Sequence, residues 1–232
     1  MGLAKKHKVN DVSDKKDVRG RLLEAAEALF CDQGYSETSV RDLSASAGCN
    51  IASVNYYFGG KEQLYKELWR QYLVHMRDVR LSGIDKVMSE SGGKPSLEEL
   101  LKAFAYAFLG PFLDEPRASC LMKLMAREML DQHLPVNMFM DDMITPTMIA
   151  MGTALVSVCP SLDKDHVPHL LFSVAGQLLN LINLVRIKAM LKQVPDAHFP
   201  TFDLAAGVDH IVRFSAAGIR AYAHEQQEDN DG

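Results

Sequence analysis

The sequence predicts an all-helical protein, and three observations carry that prediction. Apolar residues recur at spacings of three and four along most of the 232 residues. No stretch sustains the alternation of a half-buried strand. Most prolines and every paired glycine fall between the periodic segments. About nine helices are expected. The chain is 47% hydrophobic and 24% charged, enough to bury a core, which excludes a chain disordered throughout and a small disulfide scaffold.

The elements follow in order. Residues 1–15 are polar, lack apolar periodicity and are expected to form a basic flexible arm. From Val18 the pattern turns helical: Val18, Leu22, Ala25, Ala26, Leu29 and Phe30 share a face until Gly34 stops it. Thr38 or Ser39 caps a short helix bearing Val40, Leu43 and Ala47, which Gly48 ends. Asn50 caps another, from Ile51 to Phe58. Gly59 and Gly60 break it, and a long helix begins at Lys61 with Leu64, Leu68, Tyr72 and Met76 on one face. After a loop at Gly92, Gly93 and Pro95, helices are expected at 96–113, 117–132, 136–158, 165–192 and 203–225. Their breaks contain Pro116, Pro135, Pro160 and the segment from Pro195 to Pro200, and Pro146 is expected to kink its helix. Residues 16–60 thus form a three-helix unit and residues 61–232 a larger helical domain.

Charge is uneven. The net charge is −5, yet residues 1–21 hold seven basic and three acidic side chains, a local +4 on a body of −9. A basic end on an acidic body fits contact with a polyanion at that end, or a merely soluble tail. The four cysteines, at 31, 49, 120 and 159, form no C-x-x-C pair. No apolar block follows the first lysines, so no export signal is read, and the thiols are expected to be reduced in the cytoplasm. The longest apolar stretch, 170–185, is interrupted by Ser173, Gln177, Asn180 and Asn183, so no membrane span is expected. His166 and His169 share one helical turn but lack a third ligand of matching spacing, so neither a metal nor another cofactor is expected.

The pair 39–47 and 51–58, joined by Ala47-Gly48-Cys49-Asn50, has the dimensions of a helix-turn-helix, whose second helix lies in a DNA major groove. Val54 and Phe58 are one turn apart and face the core with Leu43 and Cys49. The opposite face presents Ala52, Ser53, Asn55, Tyr56 and Tyr57. Ala52 is small enough to let the backbone approach the bases. Asn55 can pair bidentately with adenine, and the tyrosine hydroxyls and Lys61 can reach phosphates. The plainer reading of Tyr56 and Tyr57 is packing against the next helix, but consecutive residues cannot both point inward.

The run Gly34-Tyr35-Ser36-Glu37-Thr38-Ser39-Val40-Arg41-Asp42-Leu43, then Ala47-Gly48-Cys49-Asn50, then Asn55-Tyr56-Tyr57-Phe58-Gly59-Gly60-Lys61-Glu62-Gln63-Leu64, resembles the DNA-binding domain of TetR-family transcriptional regulators over about residues 16–65. The resemblance implies phosphate contacts at Thr38, Ser39 and Lys61. It also implies a DNA-facing surface of Arg41, Asn50, Ala52, Ser53, Asn55, Tyr56 and Tyr57. Asn55 stands where many members carry an aromatic residue or leucine, and Ala52 where many carry glycine, so no operator sequence transfers. Beyond residue 65 the chain is similar to the family only in being helical.

The resemblance further implies a homodimer through the last two helices. Leu170, Val174, Leu178 and Leu181, with Val208, Ile211, Val212, Ser215 and Ile219, are the expected interface. Eight of the twelve methionines lie between Met122 and Met151. With Phe104, Phe108, Phe139, Met122, Met125, Met129 and Met143 as walls, and Arg127, Gln177 and Asn180 as polar anchors, this region reads as a pocket for an apolar effector. It reads equally as a methionine-rich core. Asp141-Asp142 and Glu98-Glu99 read as solvated faces. The function expected is a DNA-binding transcriptional regulator: a repressor, the family's usual mode, released from a palindromic double-stranded operator by an unknown small molecule. The alternatives are a regulator controlled by a protein partner or by no ligand, and a helical enzyme, for which no nucleophile or phosphate-loop motif is present.

Overall fold

A computed structural model of the chain describes the backbone of residues 6–113, 117–191 and 203–231, and side chains over 18–113, 117–188 and 203–223. The expected breaks at Pro116 and Pro195–Pro200, and the side chains of the basic arm, lie outside the described residues. Within them every regular element is a helix: α1 Lys6–Asp32, α2 Val40–Ser46, α3 Ala52–Phe58, α4 Lys61–Glu90, α5 Leu97–Leu113, α6 Arg117–Asp131, α7 Val136–Phe139, a π-helical turn Met140–Ile144, α8 Thr145–Val158, α9 Val167–Leu191 and α10 Leu204–Asp231. Because α7, the π turn and α8 are contiguous, these are nine helical segments.

Several boundaries differ from the sequence reading, the largest shift being at the start of α1. The backbone of α1 is helical from Lys6, twelve residues before the apolar face begins at Val18. At Pro146, where a kink is expected, the chain widens one turn. The Thr145 N–H reaches back five residues to the Met140 carbonyl, and Pro146 falls in the first turn of α8. A proline supplies no N–H and crowds the carbonyl four residues earlier, so one extra residue per turn relieves both conflicts.

The chain divides into two compact units. The first holds α1–α3, α4 as far as Val74, and α6 with α7 to Met138. The second holds α4 from His75, α5, and the helices from Phe139 onward. The division drawn in the sequence after residue 60 differs, because α6 packs on α1.

In the first unit the core is Leu22, Ala26, Phe30, Leu43, Val54, Leu64, Leu68 and Trp69. An aromatic cluster closes it, with ring centroids 4.9 Å apart for Phe30–Tyr65 and Tyr35–Tyr65, and 4.3 Å for Tyr35–His133. α6 is tied down by its polar groups. Arg127 donates from Nη1 to the Phe30 carbonyl at 3.0 Å and from Nη2 to the Asp32 carbonyl at 2.7 Å. The Phe30 carbonyl also accepts the Gly34 N–H at 3.0 Å, so Arg127 adds a second bond there and supplies a partner to the Asp32 carbonyl beyond the last helical turn. Glu128 is buried and accepts from the Tyr65 hydroxyl at 2.9 Å and the Leu134 N–H at 2.5 Å.

In the second unit α5 packs on α8, α9 and α10, and α10 packs on α9. α5 begins with a capping box in which Ser96 and Glu99 bond each other's backbone N–H. Glu98 receives the Arg220 guanidinium at 2.7 Å, and Lys102 meets Asp209 at 2.8 Å. Glu98 and Glu99 are therefore engaged, which corrects the expectation of plain solvated faces. By length and composition α9 carries one stretch, Val167–Lys188, able to cross a membrane, though Ser173, Gln177, Asn180 and Asn183 interrupt it.

Candidate nucleic-acid interface

The turn between α2 and α3 is built by local chemistry. Ser39 caps α2 with Asp42: its Oγ accepts the Asp42 N–H at 3.1 Å, and its own N–H donates to Asp42 Oδ2 at 3.1 Å. The Ser39 hydroxyl also donates to Asp42 Oδ2 at 2.5 Å, and this bond, with that from the Ser39 N–H, holds the Asp42 carboxyl below the usual aspartate range. α2 ends in a Schellman arrangement, with the Cys49 N–H on the Ser44 carbonyl at 3.0 Å and the Gly48 N–H on the Ala45 carbonyl at 3.2 Å. That geometry puts Gly48 at φ +60°, a region where a Cβ is costly. Arg21 locks the corner from α1, donating from Nε to the Ala47 carbonyl at 2.9 Å. Asn50 then accepts the Ala52 N–H on its side-chain oxygen at 2.9 Å, starting α3 one residue later than expected.

α3 is held to the core by one residue, Val54, which is fully buried. Phe58 is half-buried beneath the Arg19 guanidinium, 5.1 Å from its ring centre, and Cys49 is half-buried too. The remaining face is open. Ala52 and Asn55 are exposed, Tyr56 is 69% exposed, and Ser53 and Tyr57 are half-buried. Tyr56 and Tyr57 meet edge to face at 4.9 Å, so each orders the other. Asn55 leans toward the turn after its helix: a Cβ on Gly60 would lie 3.6 Å from its Oδ1. Gly59 at φ +79° and Gly60 at φ +128° make that turn.

The flanking residues are placed as follows. Ser39 and Arg41 are exposed at the start of α2, and Asn50 is exposed before α3. Thr38 is buried, with its hydroxyl donated to the Gly34 carbonyl at 2.7 Å, so that proton serves the fold. Lys61 lies at the start of α4 with Nζ 4.2 Å over the Tyr35 ring, and burial lowers its pKa.

The residues expected to line an effector pocket are divided between the two units. Met122, Met125, Arg127 and Met129 lie on α6 in the first unit, whereas Phe104, Phe108, Phe139, Met143, Gln177 and Asn180 belong to the second. Arg127 is engaged with α1, Met129 is 79% exposed, and Phe104, Phe108 and Met143 are buried. The residues of the expected dimer stripe are packed within the chain itself. Val174, Leu178, Leu181, Val208, Ile211, Val212, Ser215 and Ile219 are buried in the chain's own helix packing, with only Leu170 half-buried. Gln177 Nε2 donates to Ser215 Oγ at 3.2 Å inside that packing, while Asn180 is exposed. The open faces of α9 and α10 carry Phe172, Leu179 and Ile187, and Phe214 and Tyr222. One residue escaped the sequence reading. The i+4 series from Leu64 through Met76 continues to Arg80 and Ile84, and both are buried.

Comparison with known proteins agrees with this geometry. A family model described as bacterial regulatory proteins, tetR family, matches residues 22–68. A second, the C-terminal domain of the HTH-type transcriptional dual regulator CecR, matches residues 97–219. The HTH-type transcriptional repressor KstR2 of Rhodococcus jostii is 34% identical over 80 residues, covering 33% of this chain and 39% of that one. CecR of Shigella flexneri is 44% identical over 50 residues, 22% of each chain. The chain spans less than half the length of these curated relatives. Among solved structures, the fatty acid degradation regulator FadR from Bacillus halodurans superposes with a TM-score of 0.59 at 16% identity, covering 88% of this chain and 96% of that one. That likeness is one of fold.

Proposed function

This chain belongs to the TetR family of bacterial transcriptional regulators, with a C-terminal domain of the CecR type, and from that premise we propose that it is a repressor bound as a dimer to a palindromic operator and released by a small effector. Regulators of this family bind DNA and typically dimerise. The observation that carries the reading is the single-sided anchoring of α3: Val54 alone is fully buried, while Ala52, Asn55 and Tyr56 stand exposed. A helix held this way presents a small residue, a carboxamide and a phenol to a groove. Ser39, Arg41 and Lys61 flank it for phosphates. The open apolar faces of α9 and α10, with Phe172, Leu179, Ile187 and Phe214, support a second copy as their partner. Two copies then set the half-site spacing, and an effector in the second unit would shift the population of dimers that fit it.

The test is fluorescence anisotropy on duplexes from the region upstream of the chain's own coding sequence, at several salt concentrations. A palindrome should bind tightly, resist competitor DNA and weaken steeply with salt. Asn55→Ala should cost about 1–3 kcal/mol at one base position and little elsewhere. Uniform weakening across all sequences would remove Asn55 from base reading. Salt-independent or monomeric binding would remove the model.

A further inference from the structure

The inward face of α4 repeats every four residues: Leu64, Leu68, Tyr72, Met76, Arg80 and Ile84. Five of these are ordinary core residues; the sixth is a cation. Arg80 is only 4% exposed, between Met76 at 1% and Ile84 at 3%. Its guanidinium carbon stands 4.0 Å over the centre of the Phe108 ring on α5. Its Nε is buried with no hydrogen-bond partner, and among the described residues no carboxylate pairs with it. Burial alone pushes the group down to about 10, with no acidic neighbour to oppose it, so it remains charged at neutral pH.

Such a group is costly to keep. A buried charge is ordinarily paired, and a lone one loses hydration without recompense. The Phe108 face attracts the cation but offers its N–H groups no oxygen acceptor. Arg80 is also held in place. α4 and α5 approach so closely one turn away that a Cβ on Gly83 would sit 2.7 Å from the Ala107 Cβ. Along α5, Phe104, Phe108 and Phe112 form a ladder with centroids 5.9 and 6.4 Å apart. A fixed planar donor beside an aromatic wall is complementary to a planar pair of oxygens on an apolar body.

We propose that Arg80 anchors the carboxylate of an amphipathic effector whose apolar body enters beside Phe104 and Phe108 by displacing the side chains that bury them. The proposal rests on the effector-response reading above and names the chemistry of the ligand.

The experiment compares matched probes, decanoate with decanol and cinnamate with cinnamyl alcohol. Binding is measured by calorimetry on the full chain, and operator release by anisotropy. The expected result is at least about tenfold tighter binding of the carboxylate in one pair. That preference should vanish in Arg80→Met and survive only in part in Arg80→Lys, which keeps the charge but not the fork. Unliganded Arg80→Met should also melt above the parent protein, since it removes an unpaired buried charge. A merely structural arginine would give a lower melting temperature. If Arg80→Met does not fold, Arg80→Lys decides, and an unchanged carboxylate preference there overturns the proposal. No preference in either pair, or a preference that persists in Arg80→Met, also overturns it. Loss of operator binding by the parent protein instead strikes the regulator reading. Release by alcohols and carboxylates alike leaves that reading standing and removes only this one.

Discussion

Replacing Arg127 by alanine should loosen α6 from the DNA-binding helices, and the structure sets the size of the effect. Two bonds from a charged donor disappear, at 3.0 Å to the Phe30 carbonyl and 2.7 Å to the Asp32 carbonyl. Bonds to charged groups contribute about 1.5–3 kcal/mol each when protected from water. Arg127 is half-buried and Asp32 is exposed, so water can replace part of the loss, and about 1–2 kcal/mol in total is expected. Arg127→Lys should recover less than half, because one ammonium cannot span both carbonyls in the same fork. Gly34 supplies an internal control. Its φ of +89° and the Arg127 Nη1, 3.0 Å from where a Cβ would stand, both oppose Gly34→Ala. The backbone part, about 1–2 kcal/mol, stays in any background, whereas the contact part disappears once Arg127 is gone. The double-mutant cycle should therefore show a coupling of about 0.5–1 kcal/mol. Trp69 is the chain's only tryptophan and is buried in the same unit, so its fluorescence during urea unfolding reads this region directly. A loss below about 0.3 kcal/mol for Arg127→Ala, within the scatter of surface substitutions, would refute the reasoning. So would equal costs of Gly34→Ala in the two backgrounds.

Three further outcomes are expected. Gly83→Ala should destabilise by about 1–3 kcal/mol despite the better helix propensity of alanine, because the new Cβ meets Ala107 at 2.7 Å; a neutral or higher thermal midpoint would mean that α4 and α5 separate freely. The Asp42 carboxyl is depressed by its bonds to Ser39, so its contribution is present above the ordinary aspartate pKa of about 3.9 and lost as pH falls through the folded value. An NMR titration should place its midpoint below that of an unbonded aspartate, and an unshifted midpoint would dissolve the capping box in solution. Burial, with a bond to Cys31, pushes the Cys120 thiol up to about 12, so iodoacetamide at mildly alkaline pH should label it far more slowly in the native chain than in urea; equal rates would contradict that burial.

The helix-turn-helix was legible because local chemistry fixes it. Gly48 and Gly59 occupy positive φ, Ser39 and Asn50 bond the N–H groups just ahead of them, and Val54 is the inward residue of a short helix. Each of those signals lies within a few residues of its effect. The C-terminal errors have the opposite origin. α9 is apolar on most of its circumference, and its sequence alone cannot say which stripe meets the chain's own α10 and which stays open. Val174, Leu178 and Leu181 proved inward; Phe172, Leu179 and Ile187 proved outward. The division of the expected pocket residues between the two units has a related origin. Nothing in the spacing of Met122, Arg127 and Met129 reveals that α6 packs back on α1. Arg80 was visible all along as the next step after Met76, but a charge ends an apolar stripe only when it turns outward, and this side chain stays 4% exposed.

The π-helical turn at Met140–Ile144 has a consequence for how this sequence tolerates change in length. A turn closed by a bond from Thr145 to Met140 holds one residue more than an α-helix needs. It is therefore a place where a single-residue insertion can be stored without breaking the helix. Deleting Asp141 or Asp142 would restore ordinary winding. The proline that the wide turn accommodates would then crowd the carbonyl behind it. Pro146 and the extra residue are thus a matched pair, and a gain or loss at one position should be answered by a change at the other.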